Sequence, residues 1–265
     1  MRKIVFLLLC VCSVSAQTKF LSWNIQNFGN SKIDAEIKFI AETLKPYDVI
    51  ALQEIVAGAG GAQAVAKLSD ELNRSGEKWE YTVSNPTTSK ARGSERYAFL
   101  WKTSKVKKIG NAWLDPSYHD QIDREPYLCT FVYQGKQFTI VNFHAIPKAK
   151  QPETEIKYFQ HLPGLYPKLN LVFAGDFNCP QSHSVFIPLE KLNYKPVFKR
   201  QKTSLKKACK NNDCLASEYD NIWYQTRKMK ILKFEAIHFY RHFKSLKAAK
   251  KISDHIPVGV EFEMF

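Results

Sequence analysis

The chain has 265 residues, 45% of them apolar and 13% aromatic, enough for one large core and too few for three domains, so a disordered chain is excluded and a single domain over residues 17–265 is expected. Its formal charge of +14 at pH 7 argues for an anionic partner. An extended polyanion such as nucleic acid gains by counterion release at each phosphate contact; an anionic membrane surface would attract the same charge.

Residues 1–16 carry Arg2 and Lys3, an apolar run from Ile4 to Val11, and Val14-Ser15-Ala16 before Gln17. This is the layout of a secretory signal cleaved near Ala16, and its apolar run is too short for a permanent transmembrane helix. Lipid attachment at Cys10 or Cys12 is disfavoured, because neither follows the small residues such a site prefers. Loss of Arg2 and Lys3 with the signal leaves about +12 on an exported, extracellular or periplasmic chain, read here as a monomer.

From Lys19 to Trp23 the pattern alternates toward a strand that ends at Asn24. A helix is predicted over Ser31–Leu44, with Ser31 as N-cap, Ile33, Ile37, Ile40 and Leu44 on one face, and Pro46 as its stop. Asp48–Leu52 reads as a strand delivering Gln53 and Glu54, followed by a flexible Gly58–Gly61 connection and a helix over Gln63–Leu72. Strands follow at Trp79–Ser84, Tyr97–Lys102 and Tyr127–Tyr133, the last turning at Gln134-Gly135 into Phe138–Phe143. Between the first two of these lies NPTTSKARGSER (85–96), a polar basic loop placed to touch a substrate. A helix carrying Ile156, Phe159 and Leu162 precedes LVFAGDFNC (171–179), a buried strand that stops at Gly175 and projects Asp176 and Asn178. Strands near Tyr219–Tyr224, Ile231–His238 and Pro257–Phe262 close the chain, separated by lysine-rich segments. Strands in both hairpin and crossover arrangements, without repeats, fit an α+β sandwich of two sheets with helices on the outer faces.

An exported chain with four remaining cysteines points to disulfides, and the lack of a CxxC pair argues against structural zinc. Cys209 with Cys214 makes a small bridged loop; Cys179 with Cys214 is the competing pairing; Cys129, within YLCTFVY, reads as a buried free thiol.

Polar groups recur at strand ends: SWNIQNFG (22–29), IALQE (50–54), VNFHA (141–145), YDNIW (219–223) and SDHIPV (253–258). Glu54, Asn24, Asp176 and Asn178 offer the hard oxygens that Mg2+ or Ca2+ favour. His144 and His255 exchange protons near neutrality, Asp220 or Asp254 can hold one imidazole in the right tautomer and Glu95 the other, and Arg124 is a planar fork matched to phosphate. Together these spell phosphoester hydrolysis. His119, His161, His183, His238 and His242 read as surface or structural, Tyr219 and Trp223 as core, and Arg96 as a surface ion-pair partner of Glu95.

The ordered series WNIQNFG, QE, ERY, REP, NFHA, GDFN, YDNI and SDHIPV, covering about Phe20 to Phe262, resembles the endonuclease/exonuclease/phosphatase superfamily, most nearly pancreatic-type deoxyribonuclease. The resemblance implies a four-layer α/β/β/α sandwich of two mixed, mainly antiparallel sheets. It makes His255, supported by Asp220, the base that activates water, and His144, supported by Glu95, the second catalytic histidine, so that His144 or a water on the cation protonates the leaving oxygen. It assigns the metal to Glu54 and Asn24, with Asp176, Asn178 and Asp254 lining the phosphate and metal pocket and Arg124 against a phosphate. The expected cofactor is Mg2+, replaceable by Mn2+, with Ca2+ as a structural or co-activating ion.

Pancreatic-type enzymes carry an arginine two residues after the metal-binding glutamate and a tyrosine shortly before ERY, both reaching into the DNA minor groove. Val56 and Gly93 stand there in this chain, which leaves the strand preference open, with Lys90, Arg92 and the basic carboxyl-terminal segments as alternative backbone contacts. The expected function is a secreted divalent-metal-dependent endonuclease of low sequence specificity on DNA, with RNA or single strands as further substrates. The rival enzyme reading is a phospholipid phosphodiesterase or phosphatase of the same superfamily, sphingomyelinase-like, although no exposed aromatic hairpin is evident. The rival without activity is a polyanion-binding protein, which would show broken motifs.

Overall fold

The computed structural model describes residues 17–89, 93–211 and 213–265; the signal expected over residues 1–16 and the basic residues Lys90 and Arg92 lie outside them. The first strand, β1 (Thr18–Phe28), shows how the layers arise. Period-2 alternation sends Phe20 to one face, into the core shared by two sheets, and Leu21 and Trp23 to the other, under helices. Helix α1 (Asp34–Leu44) starts three residues later than Ser31: the Glu36 carboxylate accepts the Ile33 N–H at 3.1 Å. Ile33 is left 62% exposed, so the apolar face reduces to Ile37, Ile40 and Leu44, joined by Ala41. Strand β2 (Val49–Val56) runs parallel to β1, and α2 (Ala59–Asn73) absorbs most of the glycine run expected as a connection.

Strand β4 (Glu95–Lys102) then pairs antiparallel with β2, and β3 (Trp79–Val83) antiparallel with β4, completing one side of the sheet. Strand β5 (Lys107–Leu114) is absent from the expected elements. It is a mostly exposed edge strand whose register shifts between Ile109 and Trp113, so no alternation marks it. The hairpin β6 (Tyr127–Tyr133) and β7 (Lys136–His144) forms around Gln134-Gly135 as expected. The single helix predicted through Ile156, Phe159 and Leu162 is broken into α3 (Glu153–Ile156), a 3-10 turn and α4 (Leu162–Leu165), consistent with Pro163 and Gly164 in sequence. All three apolar residues are buried nonetheless.

Strand β8 (Leu171–Asp176) is buried throughout. After the short α5 (Ile187–Lys191) come β9 (Tyr194–Pro196), β10 (Leu205–Lys210) and β11 (Asp213–Leu215), then β12 (Asp220–Gln225), β13 (Met229–Ala236), α6 (Leu246–Ala249) and β14 (Val258–Met264). Cys209 and Cys214 are bridged across the β10–β11 hairpin, which rules out the Cys179–Cys214 pairing and leaves Cys129 and Cys179 as buried free thiols. Burial pushes the Cys129 thiol up to about 12 and that of Cys179 to about 11.

Six strands in the order β13-β14-β1-β2-β4-β3 make one sheet and six in the order β5-β6-β7-β8-β12-β9 the other. Each has one parallel pair, β1 with β2 and β7 with β8, among antiparallel neighbours. Phe99, Phe131, Phe138 and Ile140 fill the space between the sheets; Val65 and Leu68 of α2 cover one outer face, Phe159 and Phe186 the other. Each fully buried side chain of this size stabilises the fold by about 2–3 kcal/mol. The result is the α/β/β/α sandwich. Within the interior, Gln53 Nε2 of β2 donates to Asn142 Oδ1 of β7 at 2.6 Å, and Asn142 Nδ2 donates to Leu52 O at 3.0 Å, so a buried amide pair fixes one sheet on the other near the strand ends. No helix among the described residues is long and apolar enough to cross a membrane.

Candidate active site

The parallel pairs place their carboxyl ends together. On the second sheet His144 of β7, Asp176 of β8 and Asp220 of β12 stand side by side in register. Close approach here depends on Gly175: its φ is +139°, and a β-carbon would lie 1.9 Å from the Phe143 carbonyl oxygen. On the first sheet Asn24 of β1 pairs with Gln53 of β2, and a bulge follows; Glu54 adopts φ +59°, a left-handed conformation that aims its carboxylate across β1. Asn178 is also left-handed, φ +48°, with its N–H donating to Asp176 Oδ1 at 2.8 Å.

Asn24 joins the two sheets' contributions. Its Nδ2 donates to Glu54 Oε1 at 3.1 Å and to Asp176 Oδ2 at 3.0 Å, while its Oδ1 is buried without a hydrogen-bond partner. Glu54 Oε2 accepts the Asn27 N–H at 3.1 Å. The two carboxylates offer hard oxygens that fit a divalent cation such as Mg2+, and turning the Asn24 amide over would bring its orphaned Oδ1 to face them as a third donor. Asp176, Asp220 and His255 also lie mutually within 4.8 Å, but the 2.7 Å bond between His255 Nδ1 and Asp220 Oδ2 occupies the facing atoms of that trio.

Two imidazoles flank Asp176. His144 Nδ1 lies 2.9 Å from Glu95 Oε1, and both His144 Nε2 and His255 Nε2 lie 3.6 Å from Asp176 Oδ2. Burial would strip protons from both rings, yet the carboxylates prevail: Glu95 holds His144 above the ordinary imidazole range, and Asp220 with Asp176 holds His255 well above it. Burial opposes ionisation of Asp176, but the two histidines keep its carboxyl below the usual range. Burial raises Asp220. Arg124 is desolvated too, and Glu95, which accepts its Nη1 at 3.1 Å, together with Tyr97, Glu155 and Asp176 more than compensates, leaving the guanidinium raised. Arg124 Nη2 and Asn178 Nδ2 both donate to Ala145 O, so the guanidinium and the amide share one carbonyl and face one cavity.

The cavity measures about 420 Å³ and is lined by Glu54, Glu95, Arg124, His144, Asp176, Asn178 and His255, with Val56 and Gly93 on its walls. A larger hollow of about 540 Å³ beside Tyr47 and Phe234 contains no histidine. Asp254, expected as a ligand, is absent from the cavity walls: its carboxylate accepts Gln26 Nε2 at 3.1 Å, and its charge contributes to raising His255.

Two expectations are corrected. Among the described residues Arg96 pairs with no carboxylate; it donates to the carbonyls of Ala57 and Ser84, while Glu95 turns to His144 and Arg124. Tyr219 is half-buried, its ring stacked over His255 at 6.4 Å, whereas Trp223 is core as expected. Sequence reasoning missed the scaffold of the His255 loop. Trp23 Nε1 donates to His255 O, Ser253 Oγ accepts the His255 N–H and donates to Asn24 O, and Thr203 Oγ1 accepts the Asp220 N–H. The serine of SDH was the one available signal.

The profile of the Endonuclease/Exonuclease/phosphatase family matches residues 21–255. The chain belongs to that family. As a family member it resembles a protein named Deoxyribonuclease from Thioalkalivibrio sp. (strain K90mix), 25% identical over 98% of this chain and 75% of that one. It also resembles human Deoxyribonuclease-1, 29% identical over 62% of each chain, so the match spans less than two thirds of the human protein. Among solved folds, a family protein from Bacteroides thetaiotaomicron superposes with a TM-score of 0.69 at 15% identity, covering 95% of this chain and 98% of that one. The human nocturnin catalytic domain gives 0.63 at 16%, covering 94% and 95%. A mannosyl-6-phosphatase from Bacteroides thetaiotaomicron gives 0.66 at 14%, covering 92% and 99%, so the fold accommodates more than one phosphoester chemistry.

Proposed function

We propose that the protein is an exported, divalent-metal-dependent endonuclease that hydrolyses DNA phosphodiester bonds with little sequence preference. The observation that carries the reading is the pair of carboxylate-held imidazoles, each with Nε2 3.6 Å from the same Asp176 oxygen, beside Glu54 and the unpartnered Asn24 Oδ1. A divalent cation held by Glu54, Asn24 and Asp176 would polarise the phosphate and offset its charge. Asp220 keeps the His255 proton on Nδ1, and once the raised ring has lost its second proton, which a cation's charge beside Asp176 would favour, Nε2 can take a proton from the attacking water. Glu95 orients His144 in the same way, with its Nε2 turned to the leaving oxygen. Arg124 and the second amide hydrogen of Asn178 stabilise charge on the phosphoryl oxygens.

The formal charge of +14 supports a polyanionic substrate, bound through its backbone in a salt-sensitive manner. Val56 and Gly93 leave the groove side of the cavity without a large reader, which fits low sequence selectivity. Residues 1–16 support export and residues 17–265 a single catalytic domain.

The test is a gel assay of purified mature protein on double-stranded DNA, single-stranded DNA and RNA with Mg2+, Mn2+, Ca2+ or EDTA. Parallel assays of choline-phosphate release and of phosphomonoester hydrolysis complete it. Metal-dependent nicking of plasmid is expected; cleavage of the lipid or the monoester with intact DNA would reject the assignment.

A further inference from the structure

Behind the Asp176–Asn178 turn, three side chains that the hydrolytic site does not use converge. Cys179 is a buried free thiol, Glu153 opens α3, and His183 caps the short 3-10 turn Ser184–Phe186. One donor atom of each lies within 4.8 Å of the other two. Independently, Glu153 Oε2 is shielded from solvent without a hydrogen-bond partner and meets the Lys148 ammonium only at 3.7 Å. An unsatisfied carboxylate oxygen of this kind is costly unless a cation reaches it.

We propose that Glu153, Cys179 and His183 form a second cation site, for a borderline-soft divalent metal of the Zn2+ class, with solvent in the fourth position. Sulfur and nitrogen donors select against Mg2+ and Ca2+, so the two sites sort cations by ligand hardness: oxygens at Asn24, Glu54 and Asp176, mixed donors here. On binding, the Cys179 S–H bond breaks, its proton passes to solvent and the sulfur–metal bond forms, with no change in oxidation state. His183 Nδ1 now accepts the Val185 N–H at 3.2 Å. A metal on Nδ1 takes that lone pair, and a metal on Nε2 puts the proton on Nδ1, so in either case this cap opens. The metal ties the start of α3 to the segment following β8, and the folded state gains stability by mass action.

The experiment is a Co2+ titration of the full-length protein in excess Mg2+, recorded in the near ultraviolet, where thiolate-to-cobalt charge transfer absorbs. Oxygen ligands at the hydrolytic site give no such band, so this outcome and the DNA-cleavage outcome are independent. A saturable band is expected, displaced by Zn2+, abolished by Cys179→Ser and preserved by Cys129→Ser. Glu153→Gln and His183→Ala should each weaken binding roughly tenfold or more. Circular-dichroism melts of every variant in Mg2+ confirm folding, and His183→Ala, at a half-exposed position, keeps the test open should Cys179→Ser not fold. Absence of the band, its survival in Cys179→Ser, or wild-type affinity in both ligand variants would overturn the site.

Discussion

His144 and His255 are each held by a carboxylate at Nδ1, at 2.9 Å from Glu95 and 2.7 Å from Asp220, yet those carboxylates are differently employed. Glu95 divides itself between His144 and Arg124, whereas among the described residues no guanidinium shares the Asp220 carboxylate, which bonds His255 through Oδ2. The shared guanidinium also bears on His144 directly, lowering its proton affinity against the pull of Glu95. His144 is therefore raised and His255 raised well above the ordinary value. Identical residue types become unlike titrating groups because of a third partner, which is how one pocket acquires two proton-transfer roles.

The largest expected effect breaks the comparison outright. His255→Ala should lower kcat/KM on plasmid DNA by roughly two to four decades, and His144→Ala by an amount toward the lower end of that range. Smaller changes sharpen it. Asp220→Asn should cost roughly a hundredfold and Glu95→Gln roughly tenfold, because Arg124 and the His144 backbone remain in place after the second change. The pH–rate profile discriminates further: with His255 held higher than His144, Asp220→Asn should move the alkaline limb to lower pH and Glu95→Gln the acid limb, and the opposite pattern would reverse the order of the two rings.

Stability offers a third contrast. Both rings bind their protons more tightly folded than unfolded, so their stabilisation is complete below about pH 6.5 and is lost as pH rises through the raised values. In chelator, melting temperature should fall across that window, and His255→Asn should remove more of the slope than His144→Asn. The smallest effect lies in the β10–β11 hairpin. Replacing Cys209 and Cys214 by serine opens a short loop, costs at most about 2 kcal/mol in a denaturant titration and leaves turnover unchanged.

Much of this site was legible because strand ends in this fold carry their polar residues next to long apolar runs. GDFN and NFHA announce a buried strand and its mouth in the same few letters, and their register puts His144 beside Asp176. Edge strands had no such signal. β5 and β10 are exposed and lysine-containing, and their registers shift, so neither periodicity nor burial marks them. The Arg96 reading failed because sequence proximity to Glu95 suggests a pair, while successive strand residues point to opposite faces. Tyr219, expected in the core, lies half-buried beside His255, a place that follows from the loop contacts of Thr203, which no local pattern encodes.

The measurement that bears most directly on the account is a Mn2+ titration of the wild type and of Glu54→Gln, following bound metal by electron paramagnetic resonance and cleavage of DNA in the same samples. Occupancy and turnover should rise together in the wild type, and both curves should move to at least roughly tenfold higher Mn2+ in the variant. Cleavage that persists in EDTA, or a Glu54→Gln curve that overlies the wild type, would contradict a catalytic cation held between the two sheets.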